Sequence, residues 1–349
     1  VRITLRRPSL RPLLLTVTVV FVICGLIVGS INSAKAGGTQ ASSSSSSLSG
    51  YSHIVVVIDE SYDNAEVIGN PAAPYITSLA AQGETFPNFL GVSHPSEPNY
   101  LAMLSGSTQG QDGSDDCVLS SATSLVGEAD AAGITITGYF EGLSSGIDYA
   151  CRHNAFSQFS DALTAQADFT NFPTSYSTLP QIAVVVPNLF DDMDGSDVED
   201  ESDAANISAG DSWLQANLDG YIQWAKTNNS LFILTSDEND TDPNYDANEQ
   251  PGASEIGNNV LAVADGADIT PGTVNTGDFN VYSLLRTIED NFGLGYLGAS
   301  ADASDLVTVT GLPSTGSSAS TGTSGSTGTS GSTGTSGSTG TTGTTGTSG

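Results

Sequence analysis

Three groups of carboxylates stand out because each follows a short apolar run. Asp59-Glu60 follows His53 to Ile58, and Asp237-Glu238-Asn239-Asp240 follows Leu231 to Thr235. Asp191-Asp192-Met193-Asp194 follows Gln181 to Val186 by way of Pro187-Asn188-Leu189-Phe190. Like charges brought to one place cannot all stay ionised without a cation among them, so convergence of these groups implies a metal. Glu60, Asp192, Asp237 and Glu238 are the candidate ligands. Beyond residue 36 the softer donors are only His53, His94, His153, Cys117 and Cys151. An oxygen-rich site for Ca²⁺, Mg²⁺ or Mn²⁺ is therefore favoured over zinc. In so acidic a chain any single acidic pair can also be a solvated loop, which is the preferred account of Asp240, Asp242 and the run from Asp194 to Asp203.

A second kind of chemistry is carried by Gly91-Val92-Ser93-His94-Pro95-Ser96-Glu97-Pro98-Asn99-Tyr100, which continues through Leu101 to Gly106. Ser96 stands just ahead of a helix opened near Pro98, where free backbone N–H groups and the helix dipole favour an anion such as a phosphate oxygen. A serine hydroxyl resting on a metal becomes a workable nucleophile without a histidine base. A serine at a helix start is also an ordinary N-cap, and residue type alone favours the cap.

These residues need a scaffold that brings them together. Apolar, β-branched runs at His53 to Ile58, Ile134 to Tyr139, Gln181 to Val186, Leu231 to Thr235 and Val260 to Val263 predict strands buried on both faces. Helical patterns lie between and after them: Pro74 to Ala81, Asn99 to Leu104, Ala122 to Ala132, Asp211 to Lys226, and Val281 to Phe292. In the last, Val281, Leu284, Leu285, Ile288 and Phe292 share one face. Strand alternating with helix predicts an α/β fold, a mostly parallel central sheet flanked by helices on both faces. Open sheets of this kind bind ligands beyond the carboxyl ends of their strands, where all three acidic groups fall.

The ends of the chain have another character. Arg2, Arg6, Arg7 and Arg11 precede an uncharged apolar run from Leu13 to Val28, and Ala34-Lys35-Ala36 follows, the pattern of an export signal. The expected organisation is a signal peptide (1–36), a Ser/Gly-rich linker (37–50), a catalytic domain (51–312) and a disordered Ser/Thr/Gly repeat tail (313–349). Leu312-Pro313-Ser314-Thr315-Gly316 spells a wall-sorting motif without the apolar span and basic end such signals need, so linker is the simpler account. Removal of the signal leaves three basic residues against 39 acidic ones, a net charge of about −36. Nucleic acid and anionic membranes are poor partners for such a surface, and membrane association would come only through an uncleaved signal anchor. An extracellular or cell-surface location makes a disulfide between Cys117 and Cys151 the economical expectation.

Taken as a set and in this order, several motifs resemble the bacterial phosphoesterase family of acid phosphatases and phospholipases C, within the alkaline phosphatase superfamily. They are His53 through Glu60, His94 through Tyr100, Arg152-His153-Asn154, Pro187-Asn188-Leu189 with Asp192-Met193, Thr235-Ser236-Asp237-Glu238, and Leu284 through Asp290. The resemblance implies that Glu60, Asp237 and Glu238 bind the metal, that Ser96 is the nucleophile and that Asn99 holds a phosphate oxygen. It also implies that Arg152 and His153 lie near the phosphate, with His94 or His153 protonating the leaving group. Composition supports Arg152 as the cation left to meet a substrate, since Lys226 and Arg286 sit on helices. The chain departs from the family at Ser61, where an asparagine is usual, and at Asp194, Val281 and Asn258 or Asn259, where histidines are. The expected activity is phosphomonoester hydrolysis through a phosphoserine. The alternatives are a phospholipase C type phosphodiesterase, or a catalytically impaired protein that binds metal or a phospho-ligand. Expected substrates are small phosphorylated molecules or a phospholipid headgroup.

Overall fold

The computed structural model describes residues 50–195, 202–239 and 258–307. The expected export signal, nearly all of the linker, the repeat tail, the Leu312 motif, Asp240, Asp242 and most of the 194–203 run lie outside the described residues. In chain order the first elements are β1 (His53–Asp59), α1 (Asn64–Val67), α2 (Pro74–Gln82), β2 (Glu84–Thr85), β3 (Phe89–Leu90), α3 (Ser96–Ser105), α4 (Leu125–Ala132) and β4 (Ile136–Phe140). They are followed by β5 (Gln166–Asp168), β6 (Ile182–Val186), α5 (Asp203–Ala225), β7 (Ser230–Ser236), β8 (Ala262–Gly266), β9 (Thr273–Val274), β10 (Phe279–Asn280) and α6 (Val281–Phe292).

Eight strands form one sheet in the order β5-β4-β6-β1-β7-β8-β2-β9. The run from β5 to β7 is parallel, and β8 returns antiparallel to β7. The fold is thus α/β with a mostly parallel sheet. Alternation along β1 explains the layers: Ile54, Val56 and Ile58 point into a core shared with α3, α4 and α6, while Val55 and Val57 point into one shared with α2 and α5. Both faces are covered, which is why the central strands are continuous apolar runs without polar alternation. Register places Asp59 opposite Ser236, so β1 and β7 end together.

The long strands and helices fall within a few residues of expectation, with two informative differences. Helix α5 starts at Asp203, two turns before the expected Asp211, because its first turns are small and polar and carry little apolar stripe beyond Ile207. The two- and three-residue strands β2, β3, β5, β9 and β10 were not expected, since pairing that short is set by tertiary neighbours and leaves no periodic signal. Among the described residues no helix is long and apolar enough to cross a membrane.

Candidate active site

The backbone itself ties the three acidic segments together. The Glu60 N–H donates to Asp192 O at 2.7 Å, and the Asp237 N–H donates to Asp59 O at 3.1 Å. As a result Glu60, Asp237 and Glu238 each offer a carboxylate oxygen within 4.8 Å of the others, and all three side chains are buried. Neither carboxylate oxygen of Asp237 nor the Oδ2 of Asp59 receives a well-formed hydrogen bond from a protein donor, although both residues are buried. Buried carboxylates without donors are costly unless a cation compensates them, so this all-oxygen set fits a hard divalent ion.

Ser96 is delivered to the cluster by a loop with little freedom. Gly91 packs so closely on the end of β7 that a Cβ there would stand 2.7 Å from Asp237 O. The Asn99 side chain then clamps the loop: its Oδ1 accepts from the N–H of Val92 at 2.7 Å and of Ser93 at 3.1 Å, and its Nδ2 donates to Ser93 O at 2.8 Å. Asn258 adds a bond from its Nδ2 to Ser93 O at 3.1 Å. Helix α3 closes at Gly106, whose φ of +69° and contact with the Leu297 carbonyl exclude any side chain. Pro95, not Ser96, is the N-cap of α3, so the capping account of Ser96 fails. Its hydroxyl instead donates towards Glu60 Oε2 at 3.2 Å and Glu238 Oε1 at 3.0 Å. His94 Nδ1 meets the other oxygen of Glu238.

Three expected site residues are engaged in ways that the sequence did not show. Asp192 is not part of the carboxylate cluster: His153 lies between it and Glu60, with Nδ1 3.1 Å from Asp192 Oδ2 and Nε2 2.8 Å from Glu60 Oε1. Arg152 is not an unengaged cation, because its Nη2 donates to Asp194 Oδ2 at 2.8 Å and its Nε stands 4.0 Å from Asp115 Oδ2. Asn99, expected to hold a phosphate oxygen, has both atoms of its amide bonded to the loop backbone. Lys226 and Arg286 form ion pairs with Asp265 and Asp290, each at 2.8 Å.

Electrostatics separate the buried acids. Burial, reinforced by Glu60 and Glu238, pushes Asp237 well above the usual carboxylate range, and burial followed by Asp192 and Glu60 does the same to Asp59. Burial pushes Glu60 up too, but the charges of His153 and Arg152 outweigh it and hold this carboxylate below its ordinary value. Burial alone would depress His153; Glu60 and Asp192 reverse that and lift it to about 10. His153 is thus buried between two carboxyl groups, one at each ring nitrogen, of which Asp192 is itself raised to about 7, chiefly by burial.

Two residues beside the site, Tyr100 and Asp115, were given no role from sequence. Tyr100 stacks on His153 with ring centroids 5.1 Å apart and donates to Glu60 Oε1 at 3.3 Å. Its place four residues after Ser96, on the same helical face, was the available signal. Asp115 accepts from the Glu97 N–H at 3.0 Å, taking up an N–H of the α3 terminus that an anion was expected to use. Cys117 and Cys151 are disulfide-bonded, fastening the Asp115 segment beside Arg152. Val281 is buried in the core and contributes nothing to the site.

The sequence model of the Phosphoesterase family matches residues 51–295. The chain is 34% identical over 302 residues to a phosphatidylinositol-3-phosphatase of Mycobacterium tuberculosis, covering 83% of this chain and 93% of that protein. It is 27% identical to a phosphate-repressible acid phosphatase of Penicillium chrysogenum over 64% of its own length and 55% of the fungal protein, so it spans little more than half of that relative. Its fold is similar to that of a Vibrio parahaemolyticus protein in the alkaline phosphatase superfamily, with a TM-score of 0.53, 13% identity, and coverage of 72% of this chain and 70% of the other.

Proposed function

The chain belongs to the Phosphoesterase family and is a hydrolase of phosphoric ester bonds; from that premise we propose that it is a secreted, metal-dependent phosphomonoesterase working through phospho-Ser96, with its catalytic domain at 51–312. One observation carries the reading: the Ser96 hydroxyl sits at once 3.2 Å from Glu60 and 3.0 Å from Glu238, at the rim of a buried cluster of carboxylates short of donors. A divalent ion held there by Glu60, Asp237 and Glu238 would act as a Lewis acid on the phosphate and favour ionised Ser96.

The protein's own groups divide the remaining work. Glu238 is the nearest base for the Ser96 proton. Ser96 Oγ forms a bond to phosphorus as the ester P–O bond breaks, and His94, at the edge of the cluster and in contact with Glu238, supplies the proton to the departing alcohol. Water then cleaves phospho-Ser96 and releases phosphate. Arg152 meets the equatorial oxygens after exchanging Asp194 for substrate. His153 is buried with a carboxyl group at each ring nitrogen, so in this proposal the proton comes from His94 and not from it. It fixes the rotamer of Glu60 instead, as a second layer of contacts does in metal sites. Secretion is supported by the residue pattern of 1–36 and by a disulfide, a bond that persists in oxidising compartments.

The test is hydrolysis of p-nitrophenyl phosphate after chelation and after re-addition of Mg²⁺, Ca²⁺ or Mn²⁺ one at a time. Activity lost on chelation and restored by one ion is the expected result. Full activity in chelator would remove the metal from the proposal, and stoichiometric metal without turnover would favour the binding-protein alternative.

A further inference from the structure

Glu97 stands next to the nucleophile and takes no part in the carboxylate cluster. It is fully buried, and its Oε1 receives no well-formed hydrogen bond from a protein donor. Burying a carboxylate is costly unless hydrogen bonds offset it, and the bonds that the Glu97 side chain and N–H make go to one segment. The Cys117 N–H donates to Glu97 Oε2 at 2.8 Å, and the Glu97 N–H donates to Asp115 Oδ1 at 3.0 Å. The Gly113 N–H adds a bond to His94 O at 2.9 Å. Residues 113–117 are thus fastened to the turn that carries Ser96, on both sides of that residue.

This segment has little else to fix it. From 107 to 124, between α3 and α4, the chain forms no helix and no strand beyond an isolated bridge at Ser120, so its place is set by its few long-range bonds. Its other end is tied to the turn that carries Arg152. Cys117 is disulfide-bonded to Cys151, and Asp115 Oδ2 stands 4.0 Å from Arg152 Nε. Residues 113–117 therefore form a strap between the nucleophile and the cation. The Arg152 side chain has a second anchor in Asp194, on a different loop. A phosphate that takes the place of Asp194 leaves the strap as the remaining anchor among the described residues.

We propose that Glu97 is a positioning residue, which through this strap sets the place of the Arg152 guanidinium relative to the Ser96 hydroxyl. It touches neither the substrate nor the carboxylate cluster. The proposal rests on the reading in which Ser96 attacks phosphorus and Arg152 meets the equatorial oxygens. Loss of the clasp leaves both groups present and shifts one against the other, and a small misplacement of a positioned group lowers the rate without changing the chemistry.

The experiment is a double-mutant cycle on kcat/KM for p-nitrophenyl phosphate, run with the full chain and with inorganic phosphate as competitive inhibitor. Arg152→Ala lowers kcat/KM by about 10². Glu97→Ala lowers it about tenfold and weakens inhibition by phosphate about fivefold, yet changes both by less than about twofold when residue 152 is already alanine. Glu97→Asp, which withdraws the carboxylate by one methylene, gives a smaller loss with the same dependence on Arg152 and serves if the alanine variant does not fold. Reduction of the folded parent with a phosphine, which opens the far end of the strap, reproduces that dependence. Equal losses with and without Arg152, no loss from either Glu97 variant, or reduction without effect overturns the strap while Ser96 and Arg152 keep their roles. An unaffected rate in Arg152→Ala, by contrast, removes the cation from the phosphomonoesterase reading and takes the proposal with it.

Discussion

Two buried acids, Asp237 and Glu289, have the same burial and opposite surroundings. Glu289, on α6, accepts from Ser300 Oγ at 2.6 Å and from the Leu297 N–H at 2.8 Å, so each carboxyl oxygen has a protein donor. Asp237, at the end of β7, is equally buried, and apart from the neighbouring N–H of Glu238, which is poorly aligned, its oxygens meet no protein donor. Around Glu289 the fold completes its own hydrogen bonding, as it does at Asn291, which exchanges bonds with Tyr51 N and O at 2.6 and 3.0 Å. Around Asp237 it leaves the bonding incomplete and adds Glu60 and Glu238. Burial of a carboxylate therefore says little about its role; the missing donors mark the acid kept for an outside partner.

The largest expected effect lies on the incomplete side. Ser96→Ala should lower kcat on p-nitrophenyl phosphate by on the order of 10³ or more with an unchanged melting temperature; a rate near the parental one would break the nucleophile assignment. Next, the two acids should respond in opposite ways to loss of charge or side chain. Asp237→Asn should reduce activity by about 10², yet stabilise the chelated protein by roughly 1 to 3 kcal/mol, since it relieves uncompensated like charge. Glu289→Ala should cost about 2 to 3 kcal/mol by orphaning the Leu297 N–H, while the folded enzyme keeps its kcat/KM. Thermal melts in chelator, paired with the esterase assay, check both. If Asp237→Asn destabilised as much as Glu289→Ala, the contrast between the regions would be lost.

The same contrast explains what could be read in advance. Continuous apolar runs such as Ile54 to Ile58 and Leu231 to Leu234 have no polar face to hide, so the buried strands, and the carboxylates that follow them, were legible from local pattern. Glu60, Asp237 and Glu238 follow strands that lie side by side, and each strand hands its acid to the same edge. Asp192 has the same local signature but follows β6 through several more residues, and its partner turned out to be His153, supplied by a short 3₁₀ turn at Cys151–His153. Nothing in the sequence near Asp192 encodes that meeting. The engagement of Arg152 by Asp194 and Asp115, and of Asn99 by its own loop, is likewise long-range. Residue type told which groups were chemically able; only tertiary placement told which were already taken.

The smallest predicted effect is a slope, and it probes the complete side alone. Burial, chiefly, lifts the Glu289 carboxyl to about 7, with Ser300, Leu297 and Arg286 opposing the rise and Asp290 adding to it. The folded state therefore holds a proton that the unfolded chain, with a carboxyl near its ordinary 4.5, has released. Stability from this group is fully present below that ordinary value and is lost as pH climbs through about 7. The slope is at most one proton, about 1.4 kcal/mol per pH unit. Glu289→Gln should remove it, because the amide oxygen still accepts from Leu297 and the amide N–H can donate to Ser300 Oγ, which already reaches Leu297 O at 2.8 Å. The difference in unfolding free energy between parent and variant, followed by denaturant titration from about pH 3.5 to about 8.5, should thus change with pH and level off at both ends. A difference that stays flat would mean that Glu289 is ionised throughout, and that its two donors stabilise a charge rather than a neutral acid.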